Sequence, residues 1–292
     1  MTSHSEESPM AEASGVNSRI TKKTLQALAP LPATALRLLA LLDDPNVSLR
    51  EVADVSVRDV GISATMLRMA NSAMFGLRGR VGSISDALRV IGTMQARLLV
   101  LASGVSEAAR KELPIYELAA GSFLRHSELV GNLTMFIARE VGYADIGSAY
   151  SAGLLHDIGK VVINGFARQQ SDSGEVTSIA GELEASTGNL RDLERHLYGK
   201  SHSEVGKELA EMWNLPAEIV HAIEFHHATE LAATPEFSLA RCVILANVAA
   251  CKIDPSYPQL NQATEVWFPD MIEEETVLAS AKQFLAEVSS AK

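Results

Sequence analysis

A chain of 292 residues with 47% hydrophobic and 21% charged side chains has the composition of a folded globular protein and excludes an extended disordered one. A net charge of −11 argues against nonspecific wrapping of duplex nucleic acid, whose affinity comes from phosphates neutralised by Lys and Arg. No apolar run approaches the roughly 20 residues needed to span a bilayer.

Residues 1–20 are polar and acidic, without the basic start or apolar stretch of a secretory signal, so a disordered leader and a cytoplasmic protein are expected. Apolar residues then recur at three-to-four spacing in almost every segment, and alternating runs bounded by hairpin turns are missing, which makes the expected fold all-α. A short Leu-rich helix over 33–42 is entered through Pro30-Leu31-Pro32 and left through Asp43-Asp44-Pro45. Ser48 opens the next helix, with Glu51 three residues on as a capping box requires. Helices are expected over 62–71, 84–91 and 94–109. Between the first two, FGLRGRVGS supplies a glycine loop whose Arg78 and Arg80 either offer guanidinium forks to an anion or are simply solvated. Asn71 and Ser72, just before it, carry capping and turn chemistry.

After Pro114, helices are expected over 117–142, 146–166, 176–184, 190–198, 202–213, 216–227 and 236–250, with Pro216 where a first turn tolerates it. Residues 251–269 are rich in Pro, Asn and Gln and read as a long loop, before a closing amphipathic helix over 271–288. Cys242 and Cys251 lie outside any CxxC spacing and read as buried thiols of a reducing compartment. Charge is uneven, with 12 basic and 8 acidic side chains over 21–115 against 12 and 25 over 116–292. An acidic or phosphorylated partner would prefer the first part, unless the bias is only a solvated surface.

Five of the eight histidines fall with Asp157 into one pattern. His126 shares a helical face with Leu129, Val130, Leu133 and Ile137, where a hydrogen-bonded core histidine is the ordinary reading. In GLLHDIGK, His156 and Asp157 follow a run that buries the helix, and an imidazole beside a buried carboxylate is costly unless something pairs with both. A divalent metal is one such partner, and a plain His–Asp hydrogen bond is the other. His202 opens a helix that Ser201 could cap, so it reads either as a ligand or as a solvated helix start. His226 and His227 end a helix, where partly protonated rings are favourable; adjacent rings reach one centre only if the helix bends or two metals are bound.

The order His126, HDIGK from His156 to Lys160, His202 in HSEVG, then His226-His227 resembles the HD phosphohydrolase superfamily, especially the branch with HD-GYP phosphodiesterases. That resemblance implies one or two divalent ions, iron, manganese or zinc, on His126, His156, Asp157, His202, His226 and His227. It implies also a metal-activated water against a phosphoester, and Lys160 holding a phosphate oxygen. Two departures stand against hydrolysis: Asn247 occupies the place of a late aspartate, and HHATELAATPEF replaces a Gly-Tyr-Pro segment. The first half, with Pro30-Leu31-Pro32, Asp59, Asn71-Ser72 and SISDALRVIG, resembles HDOD proteins, the HD-related output domain, and the likeness extends over 28–250. It implies an N-terminal helical part over 21–115 packed on an HD-like helical bundle over 116–250, with a loop and closing helix over 251–292. The function implied is a signal-transduction output that binds a signalling partner or a small phosphorylated ligand; the alternative is a metal-dependent phosphohydrolase, with Asp157 and Lys160 as its catalytic residues.

Overall fold

The computed structural model describes residues 19–290 apart from 29–30, 43, 45, 73–74, 78, 172–177, 180–188, 229, 232–237, 255–256 and 258–272. The described elements are helical. The first five are α1 (Lys22–Leu28), α2 (Ala33–Leu42), α3 (Leu49–Ser56), α4 (Val60–Ala70) and α5 (Ile84–Ala109). After a 3-10 turn over Pro114–Tyr116 come α6 (Ser122–Glu140), α7 (Ile146–Leu155), α8 (Ile158–Gln170), α9 (Leu190–Tyr198), α10 (His202–Met212), α11 (Ala217–Phe225), α12 (Leu239–Ile253) and α13 (Glu274–Ser290). Among the described residues no single helix is long and apolar enough to cross a membrane.

Three apolar cores hold these helices. The first gathers Leu38, Val52, Ile62, Met66, Leu88 and Leu99 from α2 to α5. The second gathers Leu129, Leu133, Ala152, Ile223 and Leu245 from α6, α7, α11 and α12, and the third Leu25, Tyr116, Ile163 and Leu209 around α8 and α10. Helix α5 serves two of them: Leu99 and Val100 face the first core while Leu98 and Leu101 face the second. It is two segments meeting at Gly92, whose φ of 78° favours glycine, which accounts for the two expected helices over 84–91 and 94–109. Helices α7 and α12 are buried on every side, which suits apolar sequences without a polar face.

Several expectations need correction. The helix expected from 117 begins at Ser122, because Leu113 and Leu118 exchange backbone hydrogen bonds of 2.9 and 3.2 Å and Glu117 and Gly121 both take positive φ. The helix expected over 146–166 is two helices, broken at His156-Asp157. Ser48 accepts from the Arg50 N–H alone, while the reciprocal capping box forms between Ser201 and Glu204. Asn71 does turn chemistry: its amide pairs both ways with the Val81 backbone, at 2.9 and 2.8 Å, and closes the glycine loop. Arg80 in that loop is exposed, and Arg78 lies outside the described residues, as do most of 176–184 and of the expected loop over 251–269, whose first three residues instead continue the preceding helix to Ile253. Cys242 and Cys251 are buried thiols outside any disulfide.

Candidate metal centre

Consecutive residues of an unbroken helix point about 100° apart, so His156 and Asp157 could not both face one centre from a continuous helix. The chain breaks there: His156 closes α7, Asp157 takes φ −101° and ψ 10°, and α8 restarts at Ile158. The same device serves the second pair. Helix α11 stops at Phe225, and the rings of His226 and His227 come to 4.0 Å between centroids.

Both breaks are pressed together by α10. An added Cβ at Gly159 would stand 1.9 Å from the His202 carbonyl oxygen, so only glycine lets α8 lie this close to the start of α10. The capping box at Ser201 and Glu204 then fixes His202 as the first helical residue. Its solvated-start reading is overturned, since His202 is fully buried. On α6, His126 is also fully buried and reaches the same region from the opposite side.

All six predicted residues, His126, His156, Asp157, His202, His226 and His227, therefore meet around one carboxylate. Asp157 Oδ1 lies 3.3 Å from His226 Nε2 and 3.4 Å from His202 Nε2, which is 2.8 Å from His227 Nε2. On its other side Asp157 Oδ2 lies 3.3 Å from His156 Nε2. Two groups of potential ligands share Asp157: one with His202, His226 and His227, the other with His126 and His156.

Hydrogen bonds behind the rings set their tautomers. His156 Nδ1 is 2.7 Å from the Gly153 carbonyl, and His226 Nδ1 is 2.7 Å from the Ile223 carbonyl. A carbonyl can only accept, so both rings carry their proton on Nδ1 and aim a bare Nε2 lone pair at Asp157. His202 repeats the pattern with Glu194, whose carboxylate lies 2.7 and 2.9 Å from Nδ1 and accepts the His202 backbone N–H as well. Lone pairs facing a carboxylate oxygen repel one another, and the unpartnered atoms at the centre, among the described residues, are His126 Nδ1, His156 Nε2, His226 Nε2 and Asp157 Oδ1.

A divalent cation is a partner that would satisfy such a set. Ligand atoms about 2.1 Å from an ion stand about 3.0 Å apart at right angles and about 3.4 Å apart at the tetrahedral angle. The spacings of 3.3 and 3.4 Å from Asp157 Oδ1 to His226 and His202 fall in that range, and the 2.8 Å between His202 and His227 lies just below it.

Electrostatics agree. Burial holds His226 down to about 3, against the pull of Asp157, and burial with neighbouring imidazoles holds His126 and His227 well below the usual histidine range. Neutral imidazole is the ligand form. Burial would raise Asp157, but the Lys160 ammonium beside it keeps its carboxyl well below the usual carboxylate range.

Three participants escaped the sequence reading. Glu194 is a buried acid on the apolar stripe of Leu190, Leu193 and Leu197, and that misplaced carboxylate was the available signal. Tyr116 donates to Glu194 at 2.7 Å from the 3-10 turn. Tyr257, within the stretch expected to be loop, donates to Asp157 Oδ2 at 2.6 Å and stacks on His126, with centroids 3.6 Å apart and planes 6° apart; nothing in its neighbourhood announced this. Lys160 donates to the same Oδ2 at 2.6 Å and to the Tyr257 oxygen at 3.0 Å. Asn247, from α12, places Oδ1 3.0 Å from His126 Nε2.

Residues 28–229 of this all-helical chain match the profile of the HDOD domain. The chain belongs to the HDOD family. An HDOD domain protein of Geobacter sulfurreducens superposes with a TM-score of 0.54 at 23% identity, over 92% of this chain and 97% of that one. A Shewanella amazonensis SB2B protein, described as a candidate phosphohydrolase, superposes with a TM-score of 0.62 at 24% identity, over 90% and 93% of the two chains. At these identities the likeness is one of fold. A Treponema pallidum (strain Nichols) protein is 26% identical over 234 residues, which are 78% of this chain and 43% of that protein. Ribonuclease Y of Lawsonia intracellularis (strain PHE/MN1-00) is 38% identical over 128 residues, 44% of this chain and 17% of the nuclease. The HDOD chain thus spans less than half the length of either relative.

Proposed function

We propose that this HDOD protein is a cytoplasmic signal-transduction output that acts by binding a signalling partner or a small phosphorylated ligand. In this reading a divalent ion, iron, manganese or zinc, is fixed in its core, with Asp157, His202, His226 and His227 as the principal ligands. Residues 21–115 and 116–250 would be its two working parts; the separate apolar core of α2 to α5 supports that division. The observation that carries the noncatalytic reading is enclosure. His126, His156, Asp157 and His202 are fully buried, and Lys160 and Tyr257 are each 2% exposed. Lys160, the residue suited to a phosphate oxygen, is instead spent on Asp157 and Tyr257.

A second reading, a metal-dependent phosphohydrolase, is favoured by the lone pairs converging on Asp157 and by relatives named as a phosphohydrolase and a ribonuclease. A divalent ion there would lower the pKa of a bound water and polarise a phosphoryl oxygen. Asp157 would orient that ion, and Lys160 would have to exchange its present partners for a phosphate. The two readings separate in one experiment on protein purified without chelators: metal content, with turnover of a simple phosphodiester, a cyclic dinucleotide and an RNA under added manganese or iron. Bound metal without turnover supports the output module. Turnover that disappears in Asp157→Ala establishes the hydrolase in its place.

A further inference from the structure

The two ligand groups that share Asp157 are not equally free to take an ion. On one side, Asp157 Oδ1 has no hydrogen-bond donor, and His226 Nε2 faces it without a partner. His202 and His227 complete that side, with no cation on it among the described residues, and His227 is only half-buried.

The other side is already filled. A carboxylate that bridges two ions gives one oxygen to each, yet Asp157 Oδ2 accepts from the Lys160 ammonium and the Tyr257 hydroxyl, both at 2.6 Å. Lys160 supplies the positive charge that an ion would bring and repels any further cation. One nitrogen of His126 is engaged as well. Its Nε2 meets the Asn247 side-chain oxygen at 3.0 Å, and an amide oxygen accepts, so Nε2 carries a proton rather than a lone pair. The face of the His126 ring is covered by Tyr257. The lone pairs still open on this side are His126 Nδ1 and His156 Nε2, beside a carboxylate oxygen whose charge Lys160 offsets.

Resting on the metal-binding reading above, we propose that the centre holds one divalent ion, on Asp157 Oδ1 with His202, His226 and His227, and that Lys160 and Tyr257 fill the place of a second. Tyr257 is thereby a positioning residue. Its hydroxyl holds the lysine on the carboxylate, and its ring closes the His126 side against both ions and phosphate.

The test uses the full-length chain, stripped of metal and titrated with manganese(II). Calorimetric stoichiometry, elemental analysis and electron paramagnetic resonance are read together. The expected result is one ion per chain, with the resolved hyperfine pattern of an isolated manganese(II). That ion should be lost or weakened at least tenfold in His227→Ala and retained in His126→Ala. Combining Asn247→Asp, Lys160→Met and Tyr257→Ala should admit a second ion and give the exchange-coupled spectrum of a pair, with folding checked by circular dichroism. Two ions in the unaltered chain would overturn the proposal while leaving the metal-binding reading intact. An ion that depends on His126 and not on His227 would overturn the assignment of sides. No ion at all would overturn both readings.

Discussion

The contact that assembles the centre can be tested by adding a single methyl group at Gly159. A Cβ there would lie 1.9 Å from the His202 carbonyl oxygen, 2.8 Å from its carbonyl carbon and 2.9 Å from the Gly206 nitrogen. All three are backbone atoms, so no rotamer change relieves the clash, and α8 or α10 must move. Overpacking of this kind costs typically about 1–3 kcal/mol, and a backbone clash belongs at the upper end. Alanine recovers at most about 1 kcal/mol of helix propensity over glycine. Gly159→Ala should therefore lose at least about 2 kcal/mol, roughly 4–8 °C in melting temperature for a chain of this size. The internal control is Gly165→Ala on the same helix, where the nearest atom is the Leu28 Cδ2 methyl at 3.4 Å. It should be neutral or stabilise by up to about 1 kcal/mol. Urea denaturation of both variants, with chelator-competition affinity for manganese or zinc, provides the readout. Because the shift carries His202 away from Asp157, only Gly159→Ala should also lose metal. Stability of Gly159→Ala within about 0.5 kcal/mol of the parent, or an equal loss in Gly165→Ala, would refute the close-approach argument.

Glu194→Gln keeps an acceptor for the His202 ring but removes the charge, and metal affinity should fall by about 10–100-fold; unchanged affinity would mean that Glu194 does not orient the ligand. Ser201→Ala removes the cap that sets His202 at the start of α10 and should cost about 1 kcal/mol in urea denaturation, with no loss if the capping box is incidental. The metal-free protein should weaken steadily as pH falls from about 6.5 toward 3. Burial keeps His226 neutral down to about 3 in the folded chain, whereas the unfolded chain takes up that proton near 6.5, so the unfolded state binds more protons throughout the window. Asp157, depressed in the folded state, adds a loss of the same sign below about 4. Urea midpoints that rise between pH 7 and pH 5 would contradict this.

The sequence by itself determined the helical class, most helix positions and the identity of the six side chains at the centre. Apolar periodicity reflects which face each helix must bury, and that is local information. The interruption at Gly92 and the helix over Leu190–Tyr198 were legible for the same reason. The tertiary structure decided what periodicity cannot encode. The break at His156-Asp157 lies inside an apolar run that reads as one helix, and Asp157 is held there from outside by Lys160 and Tyr257. Which nitrogen each histidine presents follows from carbonyls and a carboxylate behind the rings, and the Glu194 contact to His202 crosses between helices. Tyr257 meets its partner 100 residues away in sequence. A hydrogen-bond donor that far along the chain leaves no local pattern, because its partner is brought to it only by the tertiary packing of the core it joins with Tyr116 and Ile163.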